Sequence, residues 1–352
     1  MSVAFQPSGV WTALATPFLE DGNLNLDAFK RTVEFQIAEG ITGIVPAGTT
    51  GESPTLRWSE HNQVIEEAIA CAKDRVGVLA GTGSNSTEEA IEATRHAQHA
   101  GVSAALVVDC YYNAPSSLEL RTEYYERIAE SVPGIPLVPY IIPGRCGTEM
   151  NAADLAILHN NPLAFPAVKQ ATGSLERMRQ DRELCGPKLA IMSGDDDMTL
   201  AMMKDGAIRA SGVISVMSNI VPGALTRMVK SMRSGDEKSA DQIAAHLAPL
   251  FKMVGCKIAA TRRLKDGRSI VVEDKFRNPV PVKTMMAGLG MDVGPCRRPL
   301  GMMTPAGVQA CRNALIAVFE TAPEMLTPIE TAFGVKIGDR LKNDQIWARL
   351  AR

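Results

Sequence analysis

Residues 76–108 read VGVLAGTGSNSTEEAIEATRHAQHAGVSAALVV, with one helical pattern between two short apolar runs. The runs at Val76–Ala80 and Ala104–Val108 have the length and composition of buried strands. Between them, Ser86 begins a capping-box pattern, which is typical of a helix N-terminus, and Gly101 is a typical helix end. The stretch therefore predicts a strand, a helix and a second strand that lies parallel to the first.

The same alternation continues through the first two thirds of the chain. Amphipathic helical patterns separate the strands, and one of these helices is predicted to begin after Asn25 and to end at Gly40. Eight strand–helix units predict an α/β fold closed into a (β/α)8 TIM barrel, and an open doubly wound sheet is the alternative. The six further strand predictions are Val10–Ala15, Gly43–Ala47, Pro136–Ile141, Pro166–Lys169, Leu189–Ser193 and Gly212–Val216.

After Val216 the alternation gives way to helical patterns, which predict a C-terminal helical subdomain packed beside the barrel. Within it, Asp266–Gly267 is a typical hairpin turn and predicts a small ribbon or an exposed loop. The predicted helices are Pro222–Ser234, Glu237–Val254 and Pro305–Glu320. The predicted divisions are a catalytic barrel at 1–217, a helical subdomain at 218–321 with its insertion near 258–276, and a C-terminal extension at 322–352.

The composition is that of an ordinary globular protein, with 352 residues, 45% of them hydrophobic and 22% charged. A formal net charge of −2 gives no electrostatic reason to expect nucleic acid or an anionic membrane as a partner. The seven cysteines are widely spaced and include no CxxC pair, which argues against a disulfide framework or a zinc site. With no signal-like N-terminus and no membrane-length apolar run, we predict a cytoplasmic protein.

In a barrel, functional side chains gather where the strands end. The sixth predicted strand lies in the stretch FPAVKQATG, at residues 165–173, and ends at Lys169. Burial lowers the pKa of a lysine, and a neutral amine can attack a carbonyl to form an imine. The alternative is a lysine whose stem packs while its ammonium reaches water.

The loops after the second and seventh strands carry further candidates. At Gly48–Ser53, backbone N–H groups and two threonine hydroxyls could hold a small carboxylate, and a threonine could relay a proton. A plain turn, or a phosphate cradle without the Walker lysine, is the alternative. At Asp195–Asp197 we expect a cap for the following helix rather than a metal site. The five histidines form no metal-ligand pattern, so no metal is predicted.

Three of the five tyrosines follow the fourth and fifth strands, at Tyr111, Tyr112 and Tyr140. A tyrosine at a strand end can transfer protons to and from a bound intermediate. Arg145, just beyond Tyr140, could hold a carboxylate through its planar guanidinium. Aromatic packing and a surface arginine are the alternatives for each residue alone, whereas together they predict one site with Lys169.

These motifs, in this order, resemble the dihydrodipicolinate synthase / N-acetylneuraminate lyase family of pyruvate-dependent enzymes. The resemblance covers about Gly9 to Phe319, and within the family it is greatest to the 4-hydroxy-tetrahydrodipicolinate synthases. The matching strings are Gly48–Glu52, Tyr111–Asn113 with Pro115, Tyr140 with Pro143–Gly147, Val168–Gly173, Ser193–Asp196, Gly212–Val216 and Asn278–Lys283.

The resemblance implies that Lys169 forms an imine with pyruvate and that Tyr140 donates and accepts protons. It implies that Thr49 and Tyr112 complete a proton relay, with Tyr112 reaching in from a neighbouring subunit. The implied reaction condenses pyruvate with L-aspartate 4-semialdehyde to 4-hydroxy-tetrahydrodipicolinate, in diaminopimelate and lysine biosynthesis. A homotetramer, built as a dimer of dimers, and the absence of a cofactor are also implied.

The resemblance also implies two sets of ligand-binding residues. Arg145 would hold the carboxylate of the semialdehyde, while Thr50, Ile214 and Gly194 would contribute to substrate binding. A set at the dimer interface matches the lysine feedback site of the family, although Trp58 and Pro54 differ from its common bacterial form. That set is Ser53, His61, Asn85, Glu89 and Tyr111.

Several positions depart from the family pattern. Ile141 stands where asparagine is usual, Gln170 replaces glutamate after the lysine, and Asp109–Cys110 replaces a Thr-Pro pair. Ile141 and Gln170 adjoin the candidate catalytic residues, so a related pyruvate-dependent aldolase for a sugar acid or a hydroxy-keto acid is the main alternative. A non-catalytic ligand-binding barrel and a phosphate-binding barrel isomerase are the other two.

Overall fold

Eight parallel strands form a closed barrel in the computed structural model, which describes residues 3–352. Met1 and Ser2, the first two residues of the predicted barrel, lie outside the described range. The first and last strands pair in parallel, so the barrel prediction is confirmed and the open-sheet alternative is excluded. The strands are β1 (Gly9–Ala13), β2 (Gly43–Val45), β3 (Gly77–Gly81), β4 (Ala104–Val108), β5 (Leu137–Ile141), β6 (Ala167–Gln170), β7 (Ala190–Ser193) and β8 (Gly212–Ser215).

Helices surround the barrel and continue beyond it. A π-helical segment at Leu120–Tyr125 joins the fourth and fifth helices, and 3₁₀ turns lie at Ser53–Thr55, Met217–Asn219 and Pro323–Met325. The α-helices are α1 (Leu26–Ala38), α2 (Trp58–Ala72), α3 (Thr87–Ala100), α4 (Ser117–Glu119), α5 (Glu126–Ser131), α6 (Pro143–Cys146), α7 (Ala152–His159), α8 (Leu175–Cys185), α9 (Thr199–Lys204), α10 (Pro222–Arg233), α11 (Glu237–Phe251), α12 (Val280–Leu289), α13 (Pro305–Thr321), α14 (Pro328–Phe333), α15 (Ile337–Lys342) and α16 (Asp344–Ala348).

The helix ends show which local signals were informative. The Asn25 side chain accepts from the Ala28 N–H and caps α1, as predicted. The Ser86 side chain caps α3 by accepting from the Glu89 N–H. The capping box there is incomplete, because the Glu89 carboxylate accepts from the Ser84 hydroxyl at 2.5 Å instead of closing back on Ser86.

The apolar core has two parts, one inside the barrel and one between the barrel and its helices. Because strand side chains alternate, successive residues of one strand belong to different parts. Trp11 fills the barrel interior at 1% exposure, and a Cβ at Gly43 or Gly77 would overlap its ring. These two glycines therefore allow a large aromatic side chain to close one end of the interior.

The C-terminal third adds a two-stranded hairpin and a packed tail. The hairpin strands are β9 (Gly255–Arg263) and β10 (Ser269–Arg277), antiparallel about a turn that contains Gly267 at φ +86°. In the tail, Trp347 is 2% exposed and its indole N–H donates to the Arg340 carbonyl at 3.0 Å. No helix within residues 3–352 is both long and apolar enough to span a membrane. The division of the chain at 217 and 321 stays a prediction.

Candidate active site

The pair at the centre of the barrel mouth is Lys169 on β6 and Tyr140 on β5, which lie opposite each other in the strand register. Both point into the barrel, and they are only 4% and 6% exposed. The Lys169 Nζ lies 4.0 Å from the centroid of the Tyr140 ring. The two candidate catalytic residues are therefore in direct contact.

Burial controls the protonation of Lys169. It lowers the lysine pKa to about 8, and Arg145 adds to the lowering while the carboxylates of Asp195 and Asp196 oppose it. Roughly a tenth of the amine is therefore neutral at pH 7, far more than for an ordinary lysine, and the neutral form is the nucleophile. The alternative of a solvated surface lysine is excluded by this burial.

Tyr140 is held as a neutral phenol. Burial raises its pKa well above the ordinary value, while the charge of Arg145 and a hydrogen bond with the Thr49 hydroxyl partly offset the rise. A neutral phenol hydrogen-bonded to a second hydroxyl can both give and take a proton. This hydrogen bond joins the loop after β2 to β5, and the proton relay that the resemblance implies stays a prediction.

A cavity of about 190 Å³ opens above this pair. Gly48, Thr49, Tyr111, Tyr140 and Arg145 are among the residues that line it. Tyr140 lines the cavity and its ring contacts Lys169, so the lysine lies directly behind this wall of the cavity. The volume suits a substrate of a few heavy atoms.

Asn278 connects two predicted substrate-binding residues and was not singled out by sequence reasoning. Its side-chain amide N–H donates to the Thr50 hydroxyl at 2.9 Å. Its backbone carbonyl accepts from Arg145 Nη2 at 2.7 Å. Both Asn278 and Thr50 are buried. The available signal was the Asn278–Lys283 string, but a contact between residues 133 positions apart cannot be assigned from spacing.

A buried ion pair between Glu52 and Lys283 fixes the end of the Gly48–Glu52 loop. Lys283 Nζ lies 2.8 Å from Glu52 Oε1 and donates to the carbonyls of Thr16 and Pro295. The second carboxylate oxygen of Glu52 accepts from the Arg297 N–H at 2.8 Å. Because Glu52 has φ +59°, these contacts hold a strained residue at the point where the Gly48–Glu52 loop turns.

The acidic run after β7 does not cap α9 as predicted. The Asp196 carboxylate instead accepts from the Ser215 hydroxyl and from the N–H groups of Val216 and Met217, both at 3.0 Å. It therefore fixes the backbone just after β8, close to the fully buried Ile214. The helix-cap prediction was wrong because the loops after neighbouring parallel strands lie side by side, so an acid in one loop finds its donors in the next.

Gly194 is adjacent to the candidate nucleophile. A Cβ at this position would lie 3.2 Å from Lys169 Cε and closer still to Ala171. A side chain there would press on the lysine.

Residues 3–352 contain no group of three or more His, Cys, Asp or Glu side chains arranged to hold a metal ion.

The two departures next to the catalytic pair point away from the cavity. Ile141 is fully buried in the layer between barrel and helices. The Gln170 amide donates to Asp181 on α8 and its carbonyl oxygen accepts from Thr172. Since Tyr140 and Lys169 face inward, strand alternation requires their successors to face outward. These substitutions therefore repack the outer layer and do not line the cavity.

Tyr112 is the one predicted catalytic residue that a single chain does not bring to the site. Its side chain is 91% exposed, and its backbone has φ +77°. The neighbouring Tyr111 turns inward and lines the cavity. A strained loop thus presents Tyr112 to solvent while Tyr111 faces the barrel.

A separate cavity of about 170 Å³ lies beside the first and contains most of the predicted regulatory residues. Ser53, His61, Glu89 and Tyr111 line it, while the Asn85 side chain accepts from the Tyr111 N–H at 2.9 Å. Burial lowers the pKa of His61 to about 4, so the imidazole is neutral at pH 7. Ser53 and Tyr111 also line the 190 Å³ cavity, so the two cavities share a wall.

A parallel eight-stranded barrel with a buried lysine of lowered pKa, in contact with a hydrogen-bonded tyrosine, defines a barrel enzyme equipped for Schiff-base chemistry. Within that class, the chain belongs to the dihydrodipicolinate synthetase family, which it matches over residues 6–317.

Similar proteins match this chain over most of its length. A 4-hydroxy-tetrahydrodipicolinate synthase of Methanothrix thermoacetophila is 40% identical over 90% of this chain and 99% of its own length. The corresponding enzyme of Endomicrobium trichonymphae is 42% identical over 83% of this chain and 92% of its own. Among solved structures, the synthase of Methylacidiphilum fumariolicum SolV superimposes with a TM-score of 0.80 at 34% identity, over 93% of this chain and 99% of that chain.

Proposed function

We propose that this protein condenses pyruvate with L-aspartate 4-semialdehyde to form 4-hydroxy-tetrahydrodipicolinate, a step of diaminopimelate and lysine biosynthesis. The observation that carries the proposal is the contact between a buried lysine of lowered pKa and a neutral tyrosine at the barrel mouth. Relatives named as this synthase, at 40% and 42% identity, support the choice of substrates.

The neutral amine of Lys169 attacks the keto carbon of pyruvate, and the carbinolamine loses water to give an imine. Loss of a proton from the methyl group then forms an enamine, whose carbon attacks the aldehyde of the second substrate. The new alkoxide takes up a proton and becomes the hydroxyl group. Finally, the amino group of the second substrate attacks the imine carbon, closes the ring and releases Lys169. Tyr140 and Thr49 transfer the protons.

The remaining groups bind and orient the substrates. Arg145, at the rim of the cavity, pairs with the carboxylate of the semialdehyde because its guanidinium is planar and permanently charged. Thr50 and Ile214 present main-chain groups to pyruvate, and Gly194 leaves room beside Lys169. Asn278 hydrogen-bonds to both Thr50 and Arg145 and so fixes their positions relative to each other.

We also propose a homotetramer, a dimer of dimers in which Tyr112 completes the relay of a neighbouring subunit. The support is the exposure of this tyrosine at 91% on a loop with positive φ, since such strain persists where it serves a function. A tyrosine fully solvated in one chain gains a hydrogen-bonding role once a second chain covers it.

The main alternative is an aldolase for a sugar acid or a hydroxy-keto acid, and the residues that suggested it do not line the cavity. It rested on Ile141 and Gln170, and both side chains contact the outer layer rather than the cavity. Arg145 and Thr49, which favour the synthase, do line the cavity.

Trapping with borohydride tests the imine. We expect reduction in the presence of pyruvate to add the mass of the reduced pyruvate adduct to the peptide that contains Lys169. The initial rate of trapping should rise with pH and level off above about 8, because the attacking form is the neutral amine and burial lowers the lysine pKa to that value. An adduct on another lysine, or the absence of any adduct, would contradict the proposal.

Lysine is our proposed ligand for the 170 Å³ cavity, with the Glu89 carboxylate as partner for its ammonium. We expect inhibition by lysine in the wild type and at least about tenfold weaker inhibition in Glu89→Gln, since a charge-assisted hydrogen bond is lost. Glu88→Gln, the neighbouring exposed acid of α3, is the matched control. Calorimetric titration measures binding directly. Equal lysine affinity in the wild type and Glu89→Gln would place the ligand elsewhere.

A further inference from the structure

The base of the hairpin lies against the candidate active site. A second chamber of about 660 Å³ shares Thr49 and Arg145 with the 190 Å³ cavity. Its other wall comes from the end of β10, where Lys275, Phe276 and Arg277 lie. A substrate that enters the inner cavity through this chamber therefore passes the hairpin before it reaches Arg145.

Two arginines lie at this wall, and each donates to the backbone carbonyl of the residue next to the other arginine. Arg145 Nη2 donates to the carbonyl of Asn278, and Arg277 Nη1 donates to the carbonyl of Gly144 at 2.6 Å. Each guanidinium has five N–H groups, so each keeps several donors for a ligand. The contacts hold two positive charges close together at the junction between the chamber and the cavity.

No carboxylate within residues 3–352 forms an ion pair with either arginine. Three other basic residues of the hairpin do form ion pairs, namely Lys257 with Glu273, Arg262 with Asp274 and Arg268 with Asp266. Glu52, the acid that lines the chamber, is occupied by Lys283. The neighbouring Lys275 adds a third positive charge to the wall. The chamber is therefore cationic without an internal counter-ion, which is the chemistry of an anion-recognition site.

We propose that Arg277 is a second recognition residue for the carboxylate-bearing aldehyde, which it captures in the chamber and delivers to Arg145. This inference rests on the proposed function and adds a determinant of acceptor affinity from the hairpin. Pyruvate binds deeper, at Lys169, so its affinity does not depend on Arg277. The acceptor class is a small aldehyde with at least one carboxylate.

Steady-state kinetics of the full-length protein test the proposal. Arg277→Gln removes the charge but keeps an N–H donor for the Gly144 carbonyl, and Arg277→Lys keeps the charge. Arg268→Gln, at the exposed end of the hairpin, is the matched control. We expect Arg277→Gln to raise the KM for aspartate semialdehyde about tenfold, with kcat and the KM for pyruvate nearly unchanged. Arg277→Lys should recover part of the loss.

Ionic strength gives an independent readout that a purely structural role would not change. The wild-type KM for the semialdehyde should rise with salt, and the Arg277→Gln value should rise less, because one screened charge is gone. An unchanged semialdehyde KM in Arg277→Gln, a parallel rise in the KM for pyruvate, or an equal effect of Arg268→Gln would overturn the proposal. If borohydride and pyruvate label Lys169 equally in all variants, such a result counts against Arg277 alone. Failure of labelling in the wild type counts against the proposed function itself.

Discussion

Lys169→Ala is expected to lower kcat for semialdehyde-dependent pyruvate consumption by at least about 10³-fold, because a covalent nucleophile has no substitute in the cavity. Lys283, which is also buried, is occupied by the Glu52 carboxylate and two carbonyls. Lys169→Arg should lose as much activity, since it keeps a positive charge but cannot form an imine. The measurement is initial rate with saturating pyruvate.

The control for this substitution is Lys188→Ala, an exposed lysine in the turn before β7. Its activity should stay within about twofold of the wild type, as is usual for a surface substitution remote from a site. Substantial activity in Lys169→Arg would show that the positive charge, and not the imine, is what the reaction needs. The mechanism would then have to be rewritten around Tyr140 and Arg145.

Lys283→Met is expected to lower the free energy of unfolding by about 3–5 kcal/mol, the usual cost of leaving a buried charge without its partner. Glu52 and Lys283 are 0% and 2% exposed, so water cannot replace the lost ammonium. The ammonium also lies 4.4 Å from the centroid of the Phe18 ring, and that contact is lost as well. Chemical denaturation followed by circular dichroism gives the change in the free energy of unfolding.

Two further variants test the physical reason. Lys257→Met breaks an exposed pair of similar length, 2.7 Å to Glu273, and should cost no more than about 1 kcal/mol. The double variant Glu52→Gln with Lys283→Met should be more stable than Lys283→Met alone, because the uncompensated carboxylate is removed. Equal destabilisation by Lys257→Met and Lys283→Met would show that burial is not what makes the Glu52–Lys283 pair strong.

Local signals were sufficient for the elements and for most of the site. Each predicted strand is present, and the largest differences are at β1 and β2, which end at Ala13 and Val45 instead of Ala15 and Ala47. Because the ends of all parallel strands meet at one face of a barrel, residues at those ends could be grouped before any distance was known. The contact of Lys169 with Tyr140 follows from that rule.

The prediction that failed concerns hydrogen bonds between segments that are distant in the sequence. Asp196 was expected to cap the next helix, yet its donors lie on the loop after β8, about twenty residues away. The doubt attached to Gln170 could have been reduced from the sequence, because an inward Lys169 requires an outward successor. The partner of Gln170, Asp181 on α8, required the structure.

By itself, the sequence determined the eight strand–helix units and the placement of Lys169, Tyr140, Thr49 and Arg145 at or just after the strand ends. These follow from hydrophobic periodicity and strand-end position, which are properties of short stretches. The tertiary structure alone decided that the sheet closes, that Lys169 is desolvated, that Asn278 links Thr50 to Arg145, and that the hairpin brings Arg277 to the chamber that Arg145 also lines. Desolvation and long-range hydrogen bonds depend on which distant segments exclude water from one point, and no local pattern specifies that.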